Sequence, residues 1–314
     1  MKAMMRGAVY LGGVLGSALL TCAGCVAAGD DGAASKANEQ AATVAVSTPV
    51  KAPLPVVPAE PIRNDFSLNG RIEQGGLVVG RAPTGAAAVR FNGEAMPVTP
   101  DGYFLIGFDR DAGTTARLTA TRADGGEIAK ALTIAPGAWR LEHVNTPYRG
   151  SASSDADYQR RRAGELAQIN AARRMAVASD GWRQHFIWPV KGRISGYFGS
   201  QRVYQGKPGS YHSGTDIAVP TGTPFVAPAD GVVILAAETP FTLEGRLLMI
   251  DHGNGLNSAF LHCSRLDVKT GDVVRQGQQL GLVGATGRAS GPHLHWAAKW
   301  RAARVDTLKL AGDM

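Results

Sequence analysis

The sequence predicts a mainly β protein: an N-terminal immunoglobulin-like β-sandwich, a connector α-helix and a C-terminal antiparallel β-sheet domain. Three observations carry this reading. Glycine is abundant, with 40 residues in 314, and follows no collagen-like period. Short runs alternate apolar and polar residues between tight-turn dipeptides. One stretch, from about residue 155 to 178, carries helical periodicity instead. The length points to more than one domain, and a hydrophobic content of 44% is ample for cores.

The first 25 residues read as an export signal. Lys2 and Arg6 precede an uncharged apolar run, Gly7 to Ala23, that is too short for a comfortable membrane span. Gly7, Gly12, Gly13 and Gly16 argue against a buried helix there. Two endings fit. Ala23-Gly24-Cys25 resembles the end of a bacterial lipoprotein signal, with Cys25 as the lipid-bearing residue, although Cys22 stands where an aliphatic is usual. Val26-Ala27-Ala28 fits ordinary cleavage. Cys263 is left alone, so no disulfide is expected in the mature chain.

Residues 26–65 are rich in Ala, Val, Thr and Pro, with Pro49, Pro53, Pro55, Pro58 and Pro61 close together, and read as a disordered stalk. Residues 66–150 read as the small sandwich. Val89 to Asn92 alternates, as does Ala116 to Thr121, and Asp124-Gly125-Gly126 joins the latter to Ile128–Ile134 as a hairpin. Asn92-Gly93 and Asp101-Gly102 mark further turns, and His143 near the end reads as structural or solvated. In 151–186, Ser154 or Asp155 caps a helix running to about Ala178. Leu166, Ile169, Ala172 and Met175 form its apolar stripe, and Arg160, Arg161, Arg162, Arg173 and Arg174 read as a solvated face. Residues 187–305 form the second β domain, and 306–314 a tail.

The formal charge of +7 suits an anionic polymer or a membrane surface. No basic stripe is interleaved with aromatics, so nucleic acid is not an expected partner. His-Glu-x-x-His, Gly-x-Ser-x-Gly and phosphate-binding loops are missing. Histidine is concentrated instead: five of the seven lie between 212 and 295. They fall in His212-Ser-Gly-Thr-Asp216, Asp251-His252-Gly253, Phe260-Leu-His262 and His293-Leu-His295. On a strand, His293 and His295 share a face while Leu294 turns to the core. The Ser-Gly-Thr turn lets His212 and Asp216 converge on one ion. A hairpin through Asn254-Gly255 can bring His262 beside them. A catalytic zinc site takes three such nitrogen or oxygen ligands and keeps a position for water.

The segment is similar to the lysostaphin/LytM-type zinc metallopeptidases, which cut peptidoglycan peptides. The resemblance rests on Trp188-Pro-Val190, Gly192 to Gly199, Tyr211 to Asp216, Val226 to Gly231, Asp251 to Gly255, Lys269 to Asp272, Gly281 to Gly284 and Thr286 to His295. It implies an antiparallel β domain with a substrate groove and one zinc held by His212, Asp216 and His295. His262 and His293 would flank the attacking water and share acid/base work and oxyanion support. The implied partner is peptidoglycan, with a possible membrane attachment through Cys25. The alternative is a non-catalytic envelope module that binds wall or activates another hydrolase; the intact set of five residues counts against it. Cys263 reads as a buried small residue, His252 as structural and His185 as incidental.

Overall fold

The structure, a computed structural model, describes residues 61–148 and 155–314. The expected export signal, the Cys25 anchor and nearly all of the proline-rich stalk lie outside the described residues. Seven strands come first: β1 (Ser67–Gly70), β2 (Leu77–Arg81), β3 (Ala86–Phe91), β4 (Glu94–Ala95), β5 (Tyr103–Gly107), β6 (Thr115–Arg122) and β7 (Glu127–Thr133). They form two antiparallel sheets, ordered β1-β2-β5 and β4-β3-β6-β7. Asn92 and Gly93 have φ of 51° and 86°. Two successive positive φ values are what a two-residue hairpin turn needs, and here they join β3 to β4.

Next come β8 (Leu141–Val144) and helix α1 (Ala156–Arg173). Four strands follow: β9 (Arg193–Gly196), β10 (Gln201–Tyr204), β11 (Lys207–Tyr211) and β12 (Thr215–Ala218). Then come β13 (Pro224–Val226), β14 (Gly231–Ala236), β15 (Arg246–Asp251), β16 (Leu256–Cys263), β17 (Arg265–Leu266), β18 (Val273–Val274) and β19 (Gln279–Leu282). The chain closes with β20 (Leu294–Trp300), β21 (Ala303–Val305) and α2 (Thr307–Ala311). The main sheet is antiparallel, ordered β18-β14-β15-β16-β20-β12-β9, with β21 also on β20. Its inner side chains, among them Ile217, Leu248, Phe260 and Trp296, are completely buried.

Two features tie the first β region to the second. One continuous hydrophobic core includes Phe104 and Ile106 on one side and Phe260, Trp296 and Trp300 on the other. Phe91 meets Trp300 edge to face at 6.1 Å. In addition β8, inside the span expected for the sandwich, pairs in parallel with β10, Leu141 opposite Gln201.

Helix α1 differs from expectation in length and in its faces. Asp155 caps it by accepting from the Asp157 and Tyr158 amides, but it ends at Arg173, short of Ala178. Ile169 and Ala172 pack with Ile234, Leu247, Met249 and Ala259, while Leu166 and Met175 are exposed. Arg162 is not solvated. Its guanidinium donates to both Glu244 oxygens, at 2.6 and 2.7 Å. Glu165, also buried, accepts from the Thr242 amide and hydroxyl, both at 2.6 Å. Helix periodicity reports which residues share a face; it carries no information about the 242–244 loop waiting on the sheet.

Candidate active site

β12 and β20 pair with Asp216 opposite His295, so the two side chains emerge together on one face. His212 reaches the same point from the turn between β11 and β12. Asp216 Oδ1 lies 2.8 Å from His295 Nδ1 and 3.1 Å from His212 Nε2, and the two ring nitrogens are 3.1 Å apart. Among the described residues this is the one group of three His, Cys, Asp or Glu donors that converges within 4.8 Å. Glycines make the approach possible. A Cβ on Gly214 would stand 2.7 Å from His295 Nε2 and 2.6 Å from the Trp296 carbonyl. One on Gly196 would collide with Asp216 Oδ2.

The protonation pattern follows from the partners. His212 Nδ1 donates to the Tyr197 carbonyl at 3.2 Å, which leaves Nε2 as a lone pair aimed at the cluster. Burial raises the cost of a charged Asp216, but the two imidazoles outweigh it and hold the carboxyl well below the usual carboxylate range. Burial also opposes charge on His212, where the Asp216 hydrogen bond prevails and the pKa rises. On the fully enclosed His295 burial prevails and the pKa falls. Around a tetrahedral ion with bonds of about 2.0–2.1 Å, donors stand about 3.3 Å apart. The three atoms here are close to that spacing, and two imidazoles with one carboxylate is a donor set that suits zinc. The residues fit the metal.

His262 and His293 complete the cluster. Their rings are 4.8 Å apart, and His262 is 6.3 Å from the His295 ring. His293 Nδ1 donates to the Gly291 carbonyl at 2.8 Å, and its Nε2 stands 3.6 Å from Asp216 Oδ1. His262 reaches the site by a distortion of its strand. Leu261 pairs with His295, so strict alternation would turn His262 to the other face. Instead the β15–β16 register shifts between Arg246 and Leu248, and His262 takes φ of 65°. This bulge re-aims the ring. Nδ1 then donates to the Thr286 carbonyl at 2.8 Å, and burial pushes the imidazole down to about 4.

Residues 210–307, which contain all five side chains, match the model of peptidase family M23. A crystal structure from Pseudomonas aeruginosa, described as an M23 peptidase, is 31% identical and superposes with a TM-score of 0.59, over 78% of this chain and 96% of that one. The chain belongs to peptidase family M23. The peptidoglycan DD-endopeptidase ShyA of Vibrio cholerae is 41% identical over 125 residues, 39% of this chain and 29% of that protein. The DD-carboxypeptidase/endopeptidase Mpg of Neisseria meningitidis is 39% identical over 100 residues, 32% of this chain and 23% of that protein. The match to these curated relatives thus spans less than a third of their own length.

In this M23 peptidase the site leans on residues that carry no local sequence signal. Arg110, from the first β region, is buried. It donates through Nε to the Gly199 carbonyl at 3.0 Å and through Nη2 to Gln201 Oε1 at 2.9 Å. Gly199 N–H in turn donates to the His212 carbonyl at 2.8 Å, and the His212 amide to Ser200 at 2.8 Å. The Glu244 carbonyl accepts the His262 amide at 2.8 Å. A trough passes over the cluster. One arm, of about 760 Å³, runs along β8 and β10; the other, of about 520 Å³, runs past Leu243, Glu244 and His262. His212, Asp216 and Arg288 line both.

Other sequence candidates stand apart. His252 is completely buried, with Nε2 on Ser258 Oγ at 2.9 Å and Nδ1 donating to the Asp230 carbonyl at 2.8 Å. His143 and His185 are exposed. The Cys263 thiol is buried, which pushes its pKa up to about 12, so it is not a nucleophile.

Proposed function

We propose that this chain is an exported, zinc-dependent endopeptidase that hydrolyses peptide cross-bridges or stems of peptidoglycan. The observation that carries the reading is the convergence of His212 Nε2, Asp216 Oδ1 and His295 Nδ1 within 3.1 Å, faced by His262 and His293. The name of the Vibrio relative, a peptidoglycan DD-endopeptidase, supports the substrate class. The export-type first 25 residues support work in the cell envelope, and the Ala23-Gly24-Cys25 ending supports attachment to a membrane through a lipid on Cys25.

His212, Asp216 and His295 are the residues that would hold zinc. When bound, zinc supplies Lewis acidity, which polarises a peptide carbonyl and makes water a nucleophile near neutral pH. The Tyr197 carbonyl fixes the ring of His212 through Nδ1, so that its Nε2 lone pair is set in advance. His262 and His293 each spend Nδ1 on a backbone carbonyl and leave Nε2 for the reacting atoms. One accepts the proton of the attacking water. The other, protonated, steadies the oxyanion and passes its proton to the leaving amine. The trough holds an extended peptide across these groups.

Purified sacculi incubated with the protein, followed by mass analysis of the soluble products, test the substrate. Release of fragments opened at peptide cross-links is expected. Fragments opened in the glycan, or intact cross-links beside a zinc-loaded protein, would sink it.

A further inference from the structure

The trough over the site carries more arginine along one arm than along the other, with Arg288 common to both. In the arm along β8 and β10, Arg140, Arg202 and Arg288 face two acids, Glu142 and Asp216. Both acids are taken: Glu142 by Arg202 at 2.8 Å and Asp216 by the histidines. Arg140 and Arg288 pair with no carboxylate among the described residues. In the other arm the nearby acid, Glu244, is bound to Arg162, and Leu243 and Leu261 supply apolar wall.

Arg140 is held in place rather than free to wander. Its carbonyl accepts the Gln201 amide at 2.9 Å, which seats it at the head of β8. Its guanidinium lies 3.5 Å over the Tyr197 ring, and the Tyr197 carbonyl is the acceptor for His212. A ring face leaves the in-plane N–H groups of a guanidinium available, and that fork matches the two oxygens of a carboxylate. Arg288 is anchored by its amide on the Leu243 carbonyl at 3.0 Å. Arg140, held over Tyr197, and Arg288, on an anchored backbone, stand unspent beside the cluster, an arrangement that suits an anionic ligand.

We propose that the β8–β10 arm is a carboxylate subsite. Arg140 and Arg288 bind free carboxylates of a peptide whose scissile bond lies over His212, Asp216 and His295, so the preferred substrate is an acidic peptide rather than its amidated form. The proposal rests on the endopeptidase reading and adds a substrate preference to it. It also gives the first β region a part in recognition, because Arg140 lies outside the 210–307 segment shared with the family model.

The test uses the full chain with zinc and two probes: a cross-linked peptide pair with free carboxylates beside the cross-link, and the same pair amidated. Wild type is expected to bind and cleave the acid about tenfold better, mostly through KM, the scale of one charge-assisted hydrogen bond. Arg140→Gln and Arg288→Gln each shrink that ratio towards one, and Arg140→Lys retains more of it than Arg140→Gln. Equal preference for acid and amide in wild type overturns the proposal, and so does an equal loss on both probes in Arg140→Gln. If neither probe is cleaved, the endopeptidase reading fails by itself. The subsite is then decided by equilibrium binding of the same probes, on the same ratio.

Discussion

Arg110 Nε donates to the Gly199 carbonyl at 3.0 Å, across 89 positions of sequence. The contact joins the first β region to the turn between β9 and β10, whose Gly199 and Ser200 hydrogen-bond to the His212 backbone. It makes that region a brace for the metal site, whatever else it does. Arg110→Met removes the hydrogen bonds to Gly199 and Gln201, together with the ion pair to Asp111, and keeps the bulk. The fold should survive, and metal affinity should fall by about tenfold, the usual consequence of losing support behind a ligand. A competition titration with a chromophoric chelator measures it; an unchanged affinity would reduce Arg110 to a packing residue.

His262 and His293 stand beside the three donors without being among them. His262→Ala and His293→Ala should each bind zinc about as well as wild type and lose on the order of 10²–10⁴ in turnover. Metal analysis and cross-link cleavage on the same preparations separate the two effects. Normal turnover in either variant removes that residue from the chemistry.

Arg162 and Glu244 are nearly buried, with side-chain exposures of 15% and 16%. Removing Arg162 leaves Glu244 and Glu165 enclosed without their cation, whereas removing Glu244 leaves Arg162 on Glu165 at 3.1 Å, so Arg162→Met should cost about 3 kcal/mol and Glu244→Gln less. Removing both should cost less than the two single changes together. Denaturant titrations of the four proteins give the coupling. Strict additivity would mean that the Arg162–Glu244 pair contributes no coupling between helix α1 and the 242–244 loop.

Burial pushes the His252 imidazole from the ordinary 6.5 down to about 4. The unfolded chain therefore takes up the proton first as pH falls. Stability contributed by the neutral ring is intact above pH 6.5 and is lost progressively down to about pH 4, by ~3 kcal/mol in all. Asp306, pushed up to about 6 by burial, works in the opposite sense over part of that range. The comparison that isolates His252 is the difference between wild type and His252→Gln, which should show a shallower decline. Parallel curves would contradict the assignment.

Much of the frame is legible in the residues. Asn92-Gly93, Asp124-Gly125 and Asn254-Gly255 mark hairpins because each supplies the positive φ that a tight turn demands. His293-Leu294-His295 announces two rings on one side and a buried leucine between them, and Leu294 is fully buried. What stays hidden depends on contacts distant in sequence. The bulge at His262 puts a non-glycine residue at φ of 65°, against its own local preference. The parallel pairing of β8 with β10, and the partners of Arg110 and Arg162, leave no period or motif behind. They exist because one core spans both β regions, and a core of that kind is set by packing rather than by local pattern.

On the proposed reading, His212, Asp216 and His295 would hold one zinc, and cleavage would depend on it. The most direct measurement is zinc content together with cross-link cleavage on the purified protein, beside an Asp216→Ala variant. About one zinc per chain with active cleavage, and loss of both in the variant, is the expected result. Cleavage that persists in Asp216→Ala, or a wild-type protein that cleaves without zinc, would contradict the account.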